Sequence, residues 1–178
     1  MEELQYDLTV YPTPVLRQVA EPFEAFDEEL KGIVVGMLAL MYKSEGVGLA
    51  GPQVGLKKRI FVMNATGEPD DEIAMINPRI LEKQGQPTIF EEGCLSFPGI
   101  YAEVTRPDNC TVEYWTAEGD RREEDFTGFP SRVIQHEYDH LEGVLLVDRM
   151  SRADKLRHKN ALAELVEDYR SKKVKAAK

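Results

Sequence analysis

Histidine and cysteine are scarce in this chain, three and two among 178 residues, so any place where they gather carries information. Two cysteines, Cys94 and Cys110, are too few for a disulfide-stapled scaffold and read instead as free thiols or a metal ligand. A long apolar run is missing as well. The first residues, MEELQYDLTV, lack a basic start and an apolar stretch, which predicts neither a secretory signal nor a membrane-spanning helix and a cytoplasmic protein. Positive charge is short: 22 Lys and Arg face 32 Asp and Glu, for a net charge of −10. From Arg152 onward, however, nine Lys/Arg meet four Asp/Glu, a net of +5, so the rest carries −15. That acidic body excludes DNA as a partner and leaves only the basic end open to a polyanion.

What is present suffices for one core. Hydrophobic residues make up 42% of the chain, which fits a single domain over residues 1–178. Leu30, Ile33, Val34, Met37, Leu38 and Met41 recur at helical spacing after Asp27, a capping residue, and Gly46 suits the helix exit. From about Arg59 to Phe126 the text becomes short apolar runs (RIFVMN, IAMINPRIL, CTVEYW) broken by Gly, Pro, Asn and Asp, which predicts several mostly antiparallel strands. Pro130 and Gly143 bracket a second helix. Ser151 can cap a last amphipathic helix over about residues 152–170, with Leu156, Leu162, Leu165, Val166 and Tyr169 as its apolar stripe, and residues 171–178 read as a frayed basic tail.

The second helix holds the stretch QHEYDH, Gln135 to His140. One turn apart on a helix, His136 and His140 share a face and can reach one cation, with Glu137 about 100° round. This is the HExxH pattern of metal-hydrolase helices, although two solvated surface histidines would read the same way. Their shared face continues through Val133 and Phe129, which points it at an apolar interior, where imidazoles need partners.

A catalytic metal needs a third protein ligand and an open position. Glu142, Asp148, Glu164 and Glu167 follow the motif, but the first two stand too close to the helix exit and the last two lie on a solvent-facing stripe. Cys94, in EEGCLSFPG beside the small Gly93, is the other soft ligand, and a thiolate with two imidazoles suits ferrous iron or zinc equally. Cys110 sits in an alternating strand and reads as a small core residue. The glycine-rich GVGLAGPQVG, Gly46 to Gly55, lacks the Lys-Ser/Thr of a phosphate loop. It reads as a tight loop whose glycines let backbone approach a substrate and whose Gln53 amide can meet a developing oxyanion.

Together and in this order, GVGLAGPQ, EGCLS and QHEYDH resemble the peptide deformylase family, whose pattern is GxGLAAxQ, EGCLS and QHExDH. Gly51 departs, standing where the family has alanine. VYPTPVLRQVAEP and HLEGVLLVDRM are also similar to family text, so the resemblance spans nearly the whole chain. It implies an α+β fold with mostly antiparallel strands around a central HExxH helix, flanked by an N-terminal and a C-terminal helix. It implies an enzyme that removes the formyl group from the N-terminal methionine of nascent polypeptides and releases formate. Cys94, His136 and His140 would be the metal ligands, with ferrous iron typical and zinc, nickel or cobalt able to replace it. Glu137 would be the general acid and base, Gln53 and the Leu95 backbone N–H would face the oxyanion, and the Gly48 backbone would contact the formyl-methionine. The basic C-terminal segment would suit a contact with the ribosome. Two other readings stand beside this one: a zinc endopeptidase, which would need a carboxylate third ligand, and a non-catalytic domain with a closed four-ligand structural metal site.

Overall fold

A computed structural model describes residues 5–176. The first long element, α1 (Glu28–Lys43), starts as its sequence predicts, with the Asp27 carboxylate accepting the Leu30 N–H. Leu30, Ile33, Met37 and Met41 are its buried stripe. Its exit differs from the expectation. The Gly46 N–H bonds Met41 O and the Glu45 N–H bonds Tyr42 O, a paired C-terminal cap in which Glu45, at φ 56°, takes the left-handed position. Gly46 serves packing instead, since a Cβ there would lie 2.8 Å from the Leu95 side chain.

Five antiparallel strands follow: β1 (Gly48–Ala50), β2 (Ile60–Met63), β3 (Ile73–Gly93), β4 (Tyr101–Trp115) and β5 (Arg121–Thr127). They pair in chain order as one sheet. β1 lies inside the glycine-rich stretch read as a loop, so that stretch is an edge strand followed by a 3-10 turn, Gly51–Val54. β3 is one 21-residue strand where the sequence suggested breaks. Asn77-Pro78 and Gly85 fall where the β3–β4 register slips, so these residues make bulges rather than strand ends. Asn77, at φ 51°, exchanges two side-chain hydrogen bonds with the Phe23 backbone and so fastens the N-terminal segment to the sheet.

The HExxH helix is α2 (Gly128–Leu141), which packs on β1, β2, β4 and β5. Its exit is the predicted one, with Gly143 at φ 70° and the Val144 N–H bonded to Asp139 O. Val133, Ile134 and Leu141 bury against Phe61, Met63, Met75 and Val112. Burial of each such side chain is worth about 1.5–3 kcal/mol, which fixes the rotation of α2 and thereby the direction of its histidines. The chain continues through α3 (Leu146–Arg149), α4 (Arg152–Arg157) and α5 (Lys159–Ala176). Ser151 caps α4, not one continuous last helix, and Leu156 is exposed there. Leu162 and Leu165 of α5 pack against the cluster of Leu16, Phe97 and Ile100. Residues Ser171–Ala176 of the expected tail are helical, and the last two residues of that tail, Ala177 and Lys178, lie outside the described residues. Among the described residues no helix is long and apolar enough to cross a membrane.

Candidate active site

Cys94 follows the end of β3 directly, and His136 and His140 project from α2 toward it. The Cys94 Sγ and one ring nitrogen of each histidine lie within 4.8 Å of one another. Sγ is 3.3 Å from His140 Nε2. Gly93, just before the thiol, leaves room for its cross-strand partner, since a Cβ at that position would stand 2.6 Å from the Tyr101 ring.

Glu92 orients His136. Its Oε2 is 3.0 Å from His136 Nδ1. Burial alone would raise the Glu92 carboxyl, but hydrogen bonds from His136 and Arg106 overcome it and hold the group far below the usual carboxylate range. An ionised carboxylate only accepts, so His136 Nδ1 carries a proton toward Glu92 and the other ring nitrogen is left to face the cluster. Burial pushes the His136 ring down, yet the neighbouring Cys94 and Glu92 raise it overall, whereas burial lowers His140.

A buried ionic network stands behind this pair. Arg106 Nε and Nη2 meet Glu92 at 2.7 and 3.0 Å, and Nη1 meets Asp139 at 2.9 Å. Arg149 closes on the same Asp139 at 2.6 and 2.9 Å. Arg132 adds bonds of 2.8 Å to Glu92 and 3.0 Å to Val104 O. Removing one partner from such a network costs about 3–5 kcal/mol, because a buried charge is left uncompensated. The network therefore ties α2 to β3 and β4 at the level of the histidines.

Glu137 points the other way, toward β1. Only 4% exposed, its carboxyl is pushed up to about 7 by burial. Its side chain fills the space that a Cβ at Gly48 would take, 2.5 Å from Oε1. Oε2 of Glu137 and Nδ1 of His140 are buried without a hydrogen-bond partner among the described residues. Such groups are rare in folded proteins and ask for an explanation.

Gln53 approaches from the 3-10 turn. Its Oε1 accepts the Ala50 N–H at 2.8 Å, which turns its amide nitrogen toward Ser96 Oγ at 3.3 Å and Cys94 Sγ at 3.6 Å. The Leu95 N–H, next to the thiol, has no partner among the described residues. Gly48 lies on the free edge of β1. A cavity of about 580 Å³ opens in front of these groups, with Val47, Phe90, Leu95, Phe129 and Val133 among its walls.

The donor set suits a divalent cation. A thiolate and two imidazoles are ligands for iron or zinc, and three protein ligands leave a position open, as catalytic sites require. The carboxylates weighed as a third ligand are engaged or placed elsewhere: Glu142 pairs with Arg59 at 2.7 Å, Asp148 with Arg17, and Glu164 and Glu167 sit on the exposed face of α5. Cys110 is buried in the sheet, its Sγ 3.3 Å from Ser131 Oγ. The third histidine, His158, bonds Tyr101 O at 2.7 Å and belongs to the α4–α5 junction.

Sequence reading assigned nothing to Glu92, Arg106, Asp139 or Ser96. One signal was available for Arg106. Ala102, Val104 and Arg106 alternate along the buried face of β4, and a charge on such a face needs a buried partner.

The chain is similar to known proteins in sequence and in fold. The polypeptide deformylase family model matches residues 5–156. A peptide deformylase of Thermotoga neapolitana is 44% identical over 165 residues, covering 93% of this chain and 99% of that one. A crystal structure of peptide deformylase from Plasmodium falciparum superposes with a TM-score of 0.90 at 40% identity, covering 93% of this chain and 98% of that one. Peptide deformylase 1B of Arabidopsis thaliana, crystallised with an inhibitor, gives a TM-score of 0.89 at 42% identity over 93% of each chain. The chain belongs to the polypeptide deformylase family, metal-dependent hydrolases that remove the formyl group from the N-terminal methionine of newly made proteins.

Proposed function

We propose that Cys94, His136 and His140 hold a single divalent cation, ferrous iron in the cell with zinc, nickel or cobalt as replacements, and that Glu137 moves the protons of formamide hydrolysis. The observation that carries this reading is the convergence of one thiol and two imidazoles within 4.8 Å beside a buried carboxylate oxygen that lacks a partner among the described residues. A divalent cation there supplies the acidity that makes water a nucleophile at neutral pH.

The protein's own groups do the rest. Glu137, poised by burial at about 7, takes a proton from the attacking water and returns it to the departing amine. The Gln53 amide and the Leu95 N–H donate to the oxygen that gains charge as the formyl carbon becomes tetrahedral. Substrate backbone pairs along the free edge of β1 at Gly48, and the apolar cavity receives the methionine side chain. The whole chain then acts as one deformylase unit on formyl-methionyl chains in the cytoplasm. Formate and a free N-terminal methionine leave.

Anaerobic purification, metal analysis and a formate-release assay on a formyl-Met peptide test the site and the reaction on one preparation. The expected result is one iron per chain and formate release, both lost after chelation. Formate release from metal-free protein would remove the cation from the reading.

Arg170, Lys172, Lys173 and Lys175 concentrate positive charge at the end of α5 on an otherwise acidic molecule. That distribution supports contact between this helix and ribosomal RNA, where substrate emerges. Deleting Lys172 to Lys178 is expected to weaken co-sedimentation with ribosomes at low salt, and unchanged, salt-dependent co-sedimentation would end the idea.

A further inference from the structure

We propose that Gly51, the position where this chain departs from the family pattern, is a positioning residue that keeps the Gln53 amide aimed at the reacting centre. A Cβ at Gly51 would lie 2.5 Å from Lys58 O, 3.1 Å from Leu56 O and 3.2 Å from Ile60 Cγ2. Two of these are backbone carbonyls, which cannot rotate aside as a side chain would. The Lys58 carbonyl would have to retreat by roughly 0.8 Å to reach an ordinary C···O contact of about 3.3 Å.

Retreat is blocked. The residues on either side of Lys58 are bonded to the segment outside them: the Glu21 N–H to Lys57 O at 3.0 Å and the Arg59 N–H to Glu21 O at 2.8 Å. Beyond them Ile60 enters β2 and is fully buried. The turn is also drawn onto the 3-10 helix itself, through the Leu56 N–H to Gly51 O at 2.9 Å.

Strain from a methyl group therefore goes toward Gln53. The 3-10 helix is four buried residues long, and the bond from the Ala50 N–H to Gln53 Oε1 spans Gly51. Gln53 O accepts the Thr9 N–H at 2.7 Å, and its side-chain nitrogen stands 3.3 Å from Ser96 Oγ and 3.6 Å from Cys94 Sγ. A displacement of the first residue of the turn reaches an amide that must meet an oxyanion within a few tenths of an ångström. The inward carbonyl of Lys58 and the missing methyl of Gly51 are thus a matched pair. Restoring the family's alanine in this chain damages the site instead of improving it.

The inference rests on Gln53 serving as an oxyanion donor, and the test separates the two. Turnover is measured for Gly51→Ala, Gln53→Ala and the double variant, with the metal content of each. Gly51→Ala is expected to lower kcat roughly 10–100-fold with KM within about threefold, since a donor is misaimed and not removed. In the Gln53→Ala background it is expected to lower kcat no further. Should Gly51→Ala fail to fold, Gly51→Ala/Lys58→Gly, whose freer backbone can withdraw the carbonyl, takes its place in the cycle, expected to fold and to recover turnover toward the parent. A parental kcat for Gly51→Ala overturns the inference, and so does a kcat loss that repeats in full without Gln53, or a Gly51→Ala/Lys58→Gly variant that folds with no recovery. A parental kcat for Gln53→Ala removes the oxyanion role of Gln53 itself and the Gly51 inference with it, while a damaged Gln53→Ala beside a parental Gly51→Ala overturns the Gly51 inference alone.

Discussion

Glu137→Ala is expected to keep its full complement of metal while releasing formate roughly 10²–10⁴-fold more slowly than the parent enzyme. The ligand set proposed here, Cys94, His136 and His140, does not include the lost carboxylate, and the network that orients His136 runs through Glu92 and Arg106 on the other side of α2. What disappears is the group that carries the proton from the attacking water to the leaving amine. A second readout separates chemistry from folding. Glu137 is 4% exposed, with one oxygen lacking any partner among the described residues. Removing a buried, poorly satisfied polar group relieves a desolvation cost, so the variant is expected to melt at the parental temperature or above it. Metal analysis, formate release and a thermal melt on the same preparation decide the matter; parental turnover with full metal would end the proton-carrying role.

The second large effect is expected at Cys94. Cys94→Ser is expected to bind the metal more weakly or to exchange it for another. A serine hydroxyl stays protonated at neutral pH, so the cation would lose an anionic, polarisable donor and keep a neutral, harder one. Backbone changes are small, because Ser and Cys occupy nearly the same volume and Cys94 sits at a turn that Gly93 already accommodates. Metal content and identity are compared after identical anaerobic purification. An unchanged amount of the same metal takes the thiol out of the ligand set.

The features legible in the text were those that local spacing encodes. His136 and His140 stand four positions apart, and a helix turns that spacing into a shared face. Asp27, Pro130 and Gly143 mark helix boundaries because caps and proline act within a turn of the chain. Three ordered motifs tied the ends of the site to one family before any of them had a position in space.

Other features could not be read this way. Gly46 looked like the natural left-handed cap of α1, but Glu45 takes that position and Gly46 follows it, packed against the Leu95 side chain. The text between Arg59 and Phe126 read as short runs, IAMINPRIL among them, yet β3 is one 21-residue strand whose β4 partner absorbs Asn77-Pro78 and Gly85 as slips in register. Each outcome depended on a neighbour remote in sequence. The Glu92–Arg106–Asp139–Arg149 chain is the extreme case, since its bonds span separations of 10 to 33 residues.

Sequence alone determined the α+β pattern, the family and the residue types available for chemistry, because these follow from local periodicity and from motifs in order. Tertiary structure alone decided which carboxylate orients His136, why Glu137 is shifted up to about 7, and why a glycine at position 51 belongs with the carbonyl of Lys58. Desolvation, charge pairing and steric exclusion act through space over a few ångströms, and only the folded chain sets those distances.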